Sequence, residues 1–505
     1  MDYDVKISDE VRFNNKADHC VGTGRMDLAL HKEYYDQLKI VQDEIGFSYI
    51  RGHGLFSRDM AIYRKNRWTK EDEYCFTYLD MVMDYYKSLH IRPILELGFM
   101  PEDLASSGET TFYWKGNITP PNDYGKWAEL IKATLKHLIE RYSLEEVRLW
   151  PIEVWNEPNL TSFWKDGNME EYFKLYSVSV GAIKEVDNQL RVGGPAICGV
   201  DDERWLKAFL EYVRDNSLPL DFVTRHHYTS YVPKWEGHYG YIDLHEPEEA
   251  FKLLERSRDI VDSFPEFKNL EIFVTEFNTS YVPNAPIHDT VLNAAYVAHM
   301  LSKMGDKHES YSYWTFGDVF EEMGVAFTPF SGGFGLVANG LIKKPTYWTF
   351  AFYKKLKGRC ILRSEEAIVT VEENGEIRGL LWNLDKYNEK KDGKVSIKIN
   401  EVSNGEYFML EKKVNETNAN PLKTWHEMGE PANPTTEQLE IMRKVAEPGI
   451  STKNITATDK LELEFELKPN ELRYFEIKKT VRKSDTGYDY DRVLSQTVTD
   501  NPDRA

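Results

Sequence analysis

The run Ile152-Glu153-Val154-Trp155-Asn156 is short and mostly apolar. It is followed by a segment of helical period at Glu171–Asp187 and then by a second short run, Leu190-Arg191-Val192-Gly193-Gly194. Apolar runs of four to eight residues alternating with longer helical segments read as strand, helix and the next parallel strand. Working outward, the same unit recurs on both sides. Upstream lie Cys20-Val21-Gly22-Thr23-Gly24, Phe47-Ser48-Tyr49-Ile50-Arg51 and Ile91-Arg92-Pro93-Ile94-Leu95-Glu96-Leu97. Downstream lie Phe222-Val223-Thr224-Arg225-His226, Glu271-Ile272-Phe273-Val274-Thr275-Glu276 and Tyr311-Ser312-Tyr313-Trp314-Thr315.

Helices are predicted after each run, near Lys32–Glu44, Leu79–Leu89, Tyr124–Tyr142, Glu171–Asp187, Trp205–Asn216, Glu248–Phe264, Asp289–Met304 and Tyr347–Lys357. In Tyr124–Tyr142 the apolar positions Trp127, Leu130, Ile131, Leu135, Leu138 and Ile139 form one stripe. Eight strand-helix units close into a (β/α)₈ TIM barrel more readily than they spread into an open sheet. The expected organisation is an α/β chain: a lead segment over 1–17, the barrel over 18–357, a β-sandwich-like domain over 358–480 and a polar extended tail over 481–505.

The β-rich module is read from Ala367–Val371, an Asn374-Gly375 turn suited to a type I′ hairpin, and Ile377–Trp382. Further strands are expected at Val395–Ile399, Tyr407–Lys412, Leu461–Leu467 and Arg473–Ile477, with one helix at Thr436–Val445 after Pro434.

Composition narrows the partners. The chain has 505 residues, 83 acidic against 63 basic, and a formal charge of −20. A surface of that sign repels nucleic-acid phosphates and anionic lipid, so neither nucleic acid nor membrane is an expected partner. No apolar window reaches the ~18 residues of a membrane span, and the start Met1-Asp2-Tyr3-Asp4-Val5-Lys6 is unlike a signal peptide, so a cytoplasmic location is expected. The four cysteines, Cys20, Cys75, Cys198 and Cys360, show no metal-ligand spacing and read as reduced thiols.

In a TIM barrel the chemistry sits at the C-terminal ends of the strands. There Trp155-Asn156-Glu157-Pro158-Asn159 ends the fourth strand and Thr275-Glu276-Phe277-Asn278 ends the seventh, across the mouth. Paired carboxylates at such a rim fit glycosidic bond hydrolysis, one protonating the leaving oxygen and the other attacking the anomeric carbon. Glu157 is the better acid, because Trp155 and Pro158 are apolar neighbours. The Asn156 amide can donate to a sugar 2-hydroxyl. Glu276 is the better nucleophile, because Tyr228, Asn278 or a nearby histidine can donate to its carboxylate.

Other rim positions suggest a sugar pocket: Arg51 and His53 after the second strand, His226 and Tyr228 on the sixth, Tyr281 after the seventh, and Trp314, Glu321 and Glu322 after the eighth. Trp314 offers a platform for a pyranose ring, and Glu321 or Glu322 can accept from adjacent hydroxyls. Phe112-Tyr113-Trp114 and Trp164 are set either to wall the pocket or to pack behind it. A metal site built on His226-His227 with Glu276 is disfavoured, because adjacent strand residues point to opposite faces. No metal or other cofactor is expected.

Val154-Trp155-Asn156-Glu157-Pro158-Asn159, Thr275-Glu276-Phe277-Asn278-Thr279-Ser280-Tyr281 and Trp314-Thr315-Phe316-Gly317-Asp318-Val319-Phe320-Glu321-Glu322 closely resemble the β-xylosidases of glycoside hydrolase family 39. So do Cys20-Val21-Gly22-Thr23-Gly24-Arg25, Arg51-Gly52-His53-Gly54 and Gly332-Gly333-Phe334-Gly335-Leu336. The resemblance spans nearly the whole chain. It implies a retaining, exo-acting enzyme with Glu157 as acid/base and Glu276 as nucleophile, a xylo-oligosaccharide substrate, and a homo-oligomer such as a tetramer. α-L-Iduronidase shares the machinery but takes an anionic glycan, which the −20 charge opposes. Action on α-L-arabinosides is a further alternative. A non-catalytic sugar-binding barrel would lack one of the two glutamates.

Overall fold

The computed structural model describes residues 1–480, 488 and 490–495. Eight parallel strands close a barrel in chain order: Cys20–Gly22, Tyr49–Gly52, Arg92–Leu97, Ile152–Val154, Val192–Ile197, Phe222–Tyr228, Ile272–Asn278 and Ser310–Tyr313. Helices cover it at Lys32–Glu44, Thr77–Ser88, Tyr124–Tyr142, Met169–Val186, Asp202–Asp215, Pro247–Asp262, Val291–Met304 and Pro345–Tyr353. Their starts are chemically marked. Asp123 accepts from the Gly125 and Lys126 amides, Asn168 from Glu171 and Thr290 from Asn293, each satisfying an otherwise unpaired N–H of the first turn.

The fourth strand stops two residues earlier than its apolar run suggests, because Trp155 and Glu157 turn into positive φ (73° and 43°). The sixth and seventh strands run on to Tyr228 and Asn278, carrying more of the rim into regular pairing than expected. Between them the register slips, so that Arg225 pairs with Val274 but His226 pairs with Glu276. The slip inserts Thr275 as an extra residue, a bulge of the kind that re-aims a side chain beside a functional centre.

Beyond the barrel a seven-stranded sheet curls over its own apolar core, which includes Val369, Ile397, Leu463 and Phe475, in a sandwich-like module. Its strands are Asp2–Lys6, Arg359–Arg363, Ala367–Val371, Ile377–Trp382, Gly393–Val414, Gly449–Leu467 and Leu472–Lys479. The N-terminal Asp2–Lys6 is thus a strand of this sheet, paired in parallel with Ser396–Asn400. Two long strands replace the shorter ones expected. Gly393–Val414 continues through a kink at 400–405, and Gly449–Leu467 starts twelve residues before Leu461. Residues 449–460 are mostly exposed on both faces and so lack the apolar alternation that marks a strand. The module packs on the barrel through Phe352 and Tyr474, whose rings stack at 5.1 Å.

The tail expected to be extended lies mostly outside the described residues, and within it Tyr490–Ser495 is helical. No helix among the described residues is long and apolar enough to cross a membrane.

Candidate active site

The turn after the fourth strand puts the Glu157 carboxyl over the barrel mouth. Two non-glycine residues in the left-handed region cost on the order of 1–3 kcal/mol each, so surrounding contacts must hold them. The Trp155 indole N–H donates to the Phe163 carbonyl at 2.8 Å, and the Glu157 amide donates to the Ala196 carbonyl at 2.9 Å. The Trp155 ring is buried between Phe99 and Trp164. Trp164 itself packs behind this turn and donates to the Asn168 carbonyl.

Below the mouth, Arg51 is fully buried and gathers four acceptors. Its Nε donates to Glu153 at 2.7 Å, its Nη2 to Asn156 Oδ1 at 2.9 Å and its Nη1 to Glu276 Oε1, while Nη2 also lies 2.8 Å from Glu96 in an ion pair. Glu153 also accepts from the Thr275 hydroxyl at 2.8 Å, which gives the bulge residue its task. Burial pushes Glu96 up to about 8 despite the facing Arg51 cation, so Glu96 is largely protonated near neutral pH. His53, whose Nδ1 lies 2.7 Å from Glu96, is pushed down to about 3 by burial and is neutral.

One carboxyl oxygen of Glu157 and one of Glu276 lie within 4.8 Å of each other, and a ring nitrogen of His226 lies within the same distance of both. His226 Nδ1 sits 2.7 Å from Glu157 Oε1 and 3.5 Å from Glu276 Oε2. The Tyr228 hydroxyl donates to Glu276 Oε2 at 2.6 Å. Burial, with the charge of Glu276 adding to it, pushes Glu157 well above the usual carboxylate range. Burial also raises Glu276, but Arg51, His53 and the Tyr228 hydroxyl pull against it. A proton shared by the pair therefore rests on Glu157, while Glu276 carries the charge.

The cavity above them has a volume of about 480 Å³ and is lined by Asn156, His53, Tyr228, Tyr281, Trp314 and Glu322 among others. Trp314 is set by three contacts: His53 at 4.8 Å between ring centroids, the Arg51 guanidinium at 5.7 Å, and the Asn278 amide, which donates to the Trp314 carbonyl at 2.6 Å. Gly22 is required beneath it, since a Cβ there would come 2.4 Å from the indole. Glu322 is pushed well above the carboxylate range by burial and by Glu276 and Glu157, so it keeps its proton.

Two expected sugar ligands stand elsewhere. Arg51 lies under the cavity floor rather than in its lining, because four acceptors from three strand ends hold its guanidinium there. Glu321 has a positive φ of 63° that turns its side chain to Arg25 at 2.9 Å, leaving Glu322 as the member of the pair that lines the cavity. Asn278 serves Trp314 rather than Glu276. Of Phe112-Tyr113-Trp114, Phe112 lines the cavity, Tyr113 is exposed at its rim and Trp114 packs on Phe99 and Phe112.

Glu96 and Glu153 went unread as site residues. The available signal was a lone carboxylate inside each apolar strand, which must find a cation when buried. Glu157, His226 and Glu276 are also the one group among the described residues close enough to serve together as metal donors. Their ligating atoms are already engaged with one another, with Arg51 and with Tyr228.

A buried pair of carboxyl groups with pKa values pushed apart at the mouth of a (β/α)₈ barrel is the arrangement that glycosidic bond hydrolysis uses, and the chain is a glycoside hydrolase. More narrowly, the chain belongs to the glycosyl hydrolases family 39, whose model matches residues 5–461. It is 47% identical over 484 residues to a β-xylosidase of Geobacillus stearothermophilus, covering 94% of this chain and 95% of the relative. It is 36% identical over 450 residues to a β-xylosidase of Caldicellulosiruptor saccharolyticus, covering 85% and 88%. A crystal structure described as a monomeric β-xylosidase from Caulobacter crescentus CB15 matches with a TM-score of 0.88 at 28% identity, covering 95% of this chain and 99% of that one.

Proposed function

We propose that this chain is a retaining, exo-acting β-xylosidase that releases xylose from β-1,4-xylo-oligosaccharides. The observation that carries the mechanism is the approach of the Glu157 and Glu276 oxygens to within 4.8 Å. Retaining glycosidases hold their carboxyl groups ~5–5.5 Å apart, whereas inverting ones need ~6.5–9.5 Å to admit a water between acid and sugar.

In the first step the Glu276 carboxylate attacks the anomeric carbon as the bond to the leaving oxygen breaks and Glu157 gives that oxygen its proton. In the second, Glu157 takes a proton from water as the water oxygen displaces Glu276 from the same carbon. Asn156 donates to the 2-hydroxyl, a role supported by Arg51, which occupies its Oδ1 and leaves the amide N–H groups to donate. A neutral pentose fits the formal charge of −20 and the protonated Glu322 at the wall.

A panel of aryl β-xyloside, α-L-arabinoside, β-glucoside and α-L-iduronide, followed by proton NMR of the first product anomer, tests the reading. β-Xylose released first from the xyloside is expected. α-Xylose first, or preference for another glycone, overturns it.

Two further parts of the reading are a cytoplasmic location and a homo-oligomer. Four unpaired cysteines, three of them buried, support a reducing compartment. Phe408 and Ile450 share an exposed face at the edge of the accessory sheet, where Phe408 pairs with Asn454 and Lys412 with Ile450, and this apolar face supports self-association. Fractionation of the native cell checks the first and sedimentation velocity the second.

A further inference from the structure

His53 follows the second barrel strand, Tyr49–Gly52, and lines the cavity with its ring clamped on three sides. Trp314 lies 4.8 Å away between ring centroids, Phe99 lies 5.9 Å away, and Phe112 stacks on it at 6.0 Å. Held so, the ring aims its two nitrogens at different partners. Nδ1 turns inward to Glu96 Oε2 at 2.7 Å, while Nε2 turns to Glu276 Oε1 at 3.6 Å and Glu322 Oε1 at 3.8 Å. The last two distances are too long for hydrogen bonds, so the Nε2 edge is left for a sugar hydroxyl.

With the ring orientation fixed, the remaining variable is which nitrogen carries the hydrogen. A neutral imidazole has one N–H and one lone pair, and the bond made at one nitrogen decides what the other presents. Two observations give the same answer. The charge of Glu276 faces Nε2, where it attracts an N–H and repels a lone pair. At the other end, Glu96 Oε2 touches Nδ1 and also Arg51 Nη2 at 2.8 Å, and a guanidinium can only donate. Glu96 Oε1 has no hydrogen-bond partner among the described residues. A proton on this carboxyl therefore has one acceptor within reach, Nδ1. Burial, which favours the protonated form of Glu96 and the neutral form of His53, fits the arrangement.

We propose that Glu96 is a positioning residue for glycone recognition: fully buried and out of reach of substrate, it donates its carboxyl proton to His53 Nδ1 and so makes Nε2 the N–H that a glycone hydroxyl meets. That hydroxyl accepts from Nε2 and can donate onward to the carboxyl oxygens opposite. The identity of the hydroxyl rests on the proposed function, whereas the placement of the proton does not.

The first arm of the test therefore uses the enzyme without substrate. With ¹⁵N in the histidine rings, His53 is assigned by the signals lost in His53→Gln. Its Nδ1 is expected at the shift of an unprotonated nitrogen and its Nε2 at that of a protonated one, and the reverse overturns the proposal. The second arm is Glu96→Gln. Its carboxamide oxygen must face the Arg51 cation, so it can only accept from Nδ1, and the tautomer inverts. The variant should show inverted shifts and a KM for 4-nitrophenyl β-xyloside raised roughly tenfold, the worth of one hydrogen bond, with a smaller change in kcat. Wild-type shifts and KM in a folded Glu96→Gln overturn the proposal, and if that variant does not fold the wild-type spectrum decides alone. A wild-type enzyme inert on xylosides overturns the proposed function, while the spectrum still decides where the proton lies.

Discussion

The Tyr228 hydroxyl donates to Glu276 Oε2 at 2.6 Å from the strand next to it. Through this bond the phenol acts as a positioning residue, favouring the charged form of Glu276 against the burial that disfavours it. Tyr228→Phe is expected to lower kcat/KM roughly 10- to 100-fold, the worth of a hydrogen bond to a charged group. Removing a contact that lowers the Glu276 pKa must raise it, so the acidic limb of the kcat/KM profile moves to higher pH. A pH-rate series on both enzymes checks the direction. An unmoved limb would detach Tyr228 from Glu276.

Glu157 is held protonated by burial and by Glu276, so the basic limb should lie well above the ordinary glutamate value of about 4.3. Glu157→Ala should erase that limb. It should also cost xylobiose, with its poor leaving group, roughly 10²–10⁴-fold while sparing an activated aryl xyloside. Equal losses on the two substrates would remove the acid role.

For Glu276→Ala, azide added with an aryl xyloside should rescue turnover and give a glycosyl azide of inverted configuration, because the small anion reaches the anomeric carbon from the vacated side. The product is identified by NMR. A rescued product of retained configuration counts against Glu276 as nucleophile.

The adjacent pair Glu321 and Glu322 should separate cleanly. Glu322 lines the cavity and keeps its proton, so Glu322→Ala is expected to raise KM by roughly tenfold, the loss of a good hydrogen bond, while Glu322→Gln, which imitates a neutral carboxyl, is milder. Glu321→Ala leaves Arg25 with Asp27 alone and should show in the melting temperature rather than in KM. Matching KM effects at both positions would contradict this division.

Lys344 is fully buried between Asp289 at 2.6 Å and Asp318 at 2.7 Å, and those carboxylates hold the Gly332 and Gly335 amides of the loop packed around Trp314. Lys344→Met strands two buried acids and should destabilise by about 3–5 kcal/mol. Thermal unfolding measures it, and a shift of only a degree or two would show the triad to be dispensable.

The barrel was legible because each strand is an apolar run and each helix a periodic one. Glu157 and Glu276 stood out because each closes such a run at the rim. Arg51 was legible as a rim residue but not as the floor of the site, since that requires Glu96, Glu153 and Glu276 to converge from three strands far apart in sequence. Glu321 and Glu322 could not be told apart, because their roles depend on one backbone φ.

The pairing of Asp2 with Ser396 has a consequence for how the molecule is made. Asp2–Lys6 cannot join its sheet until some 390 residues have followed it, which at ~5–20 residues per second means tens of seconds. Meanwhile the barrel can close, since its strands pair in chain order. A chain cut short before Gly393–Val414 therefore keeps its barrel sequence but leaves the strand Asp2–Lys6 without an edge to join.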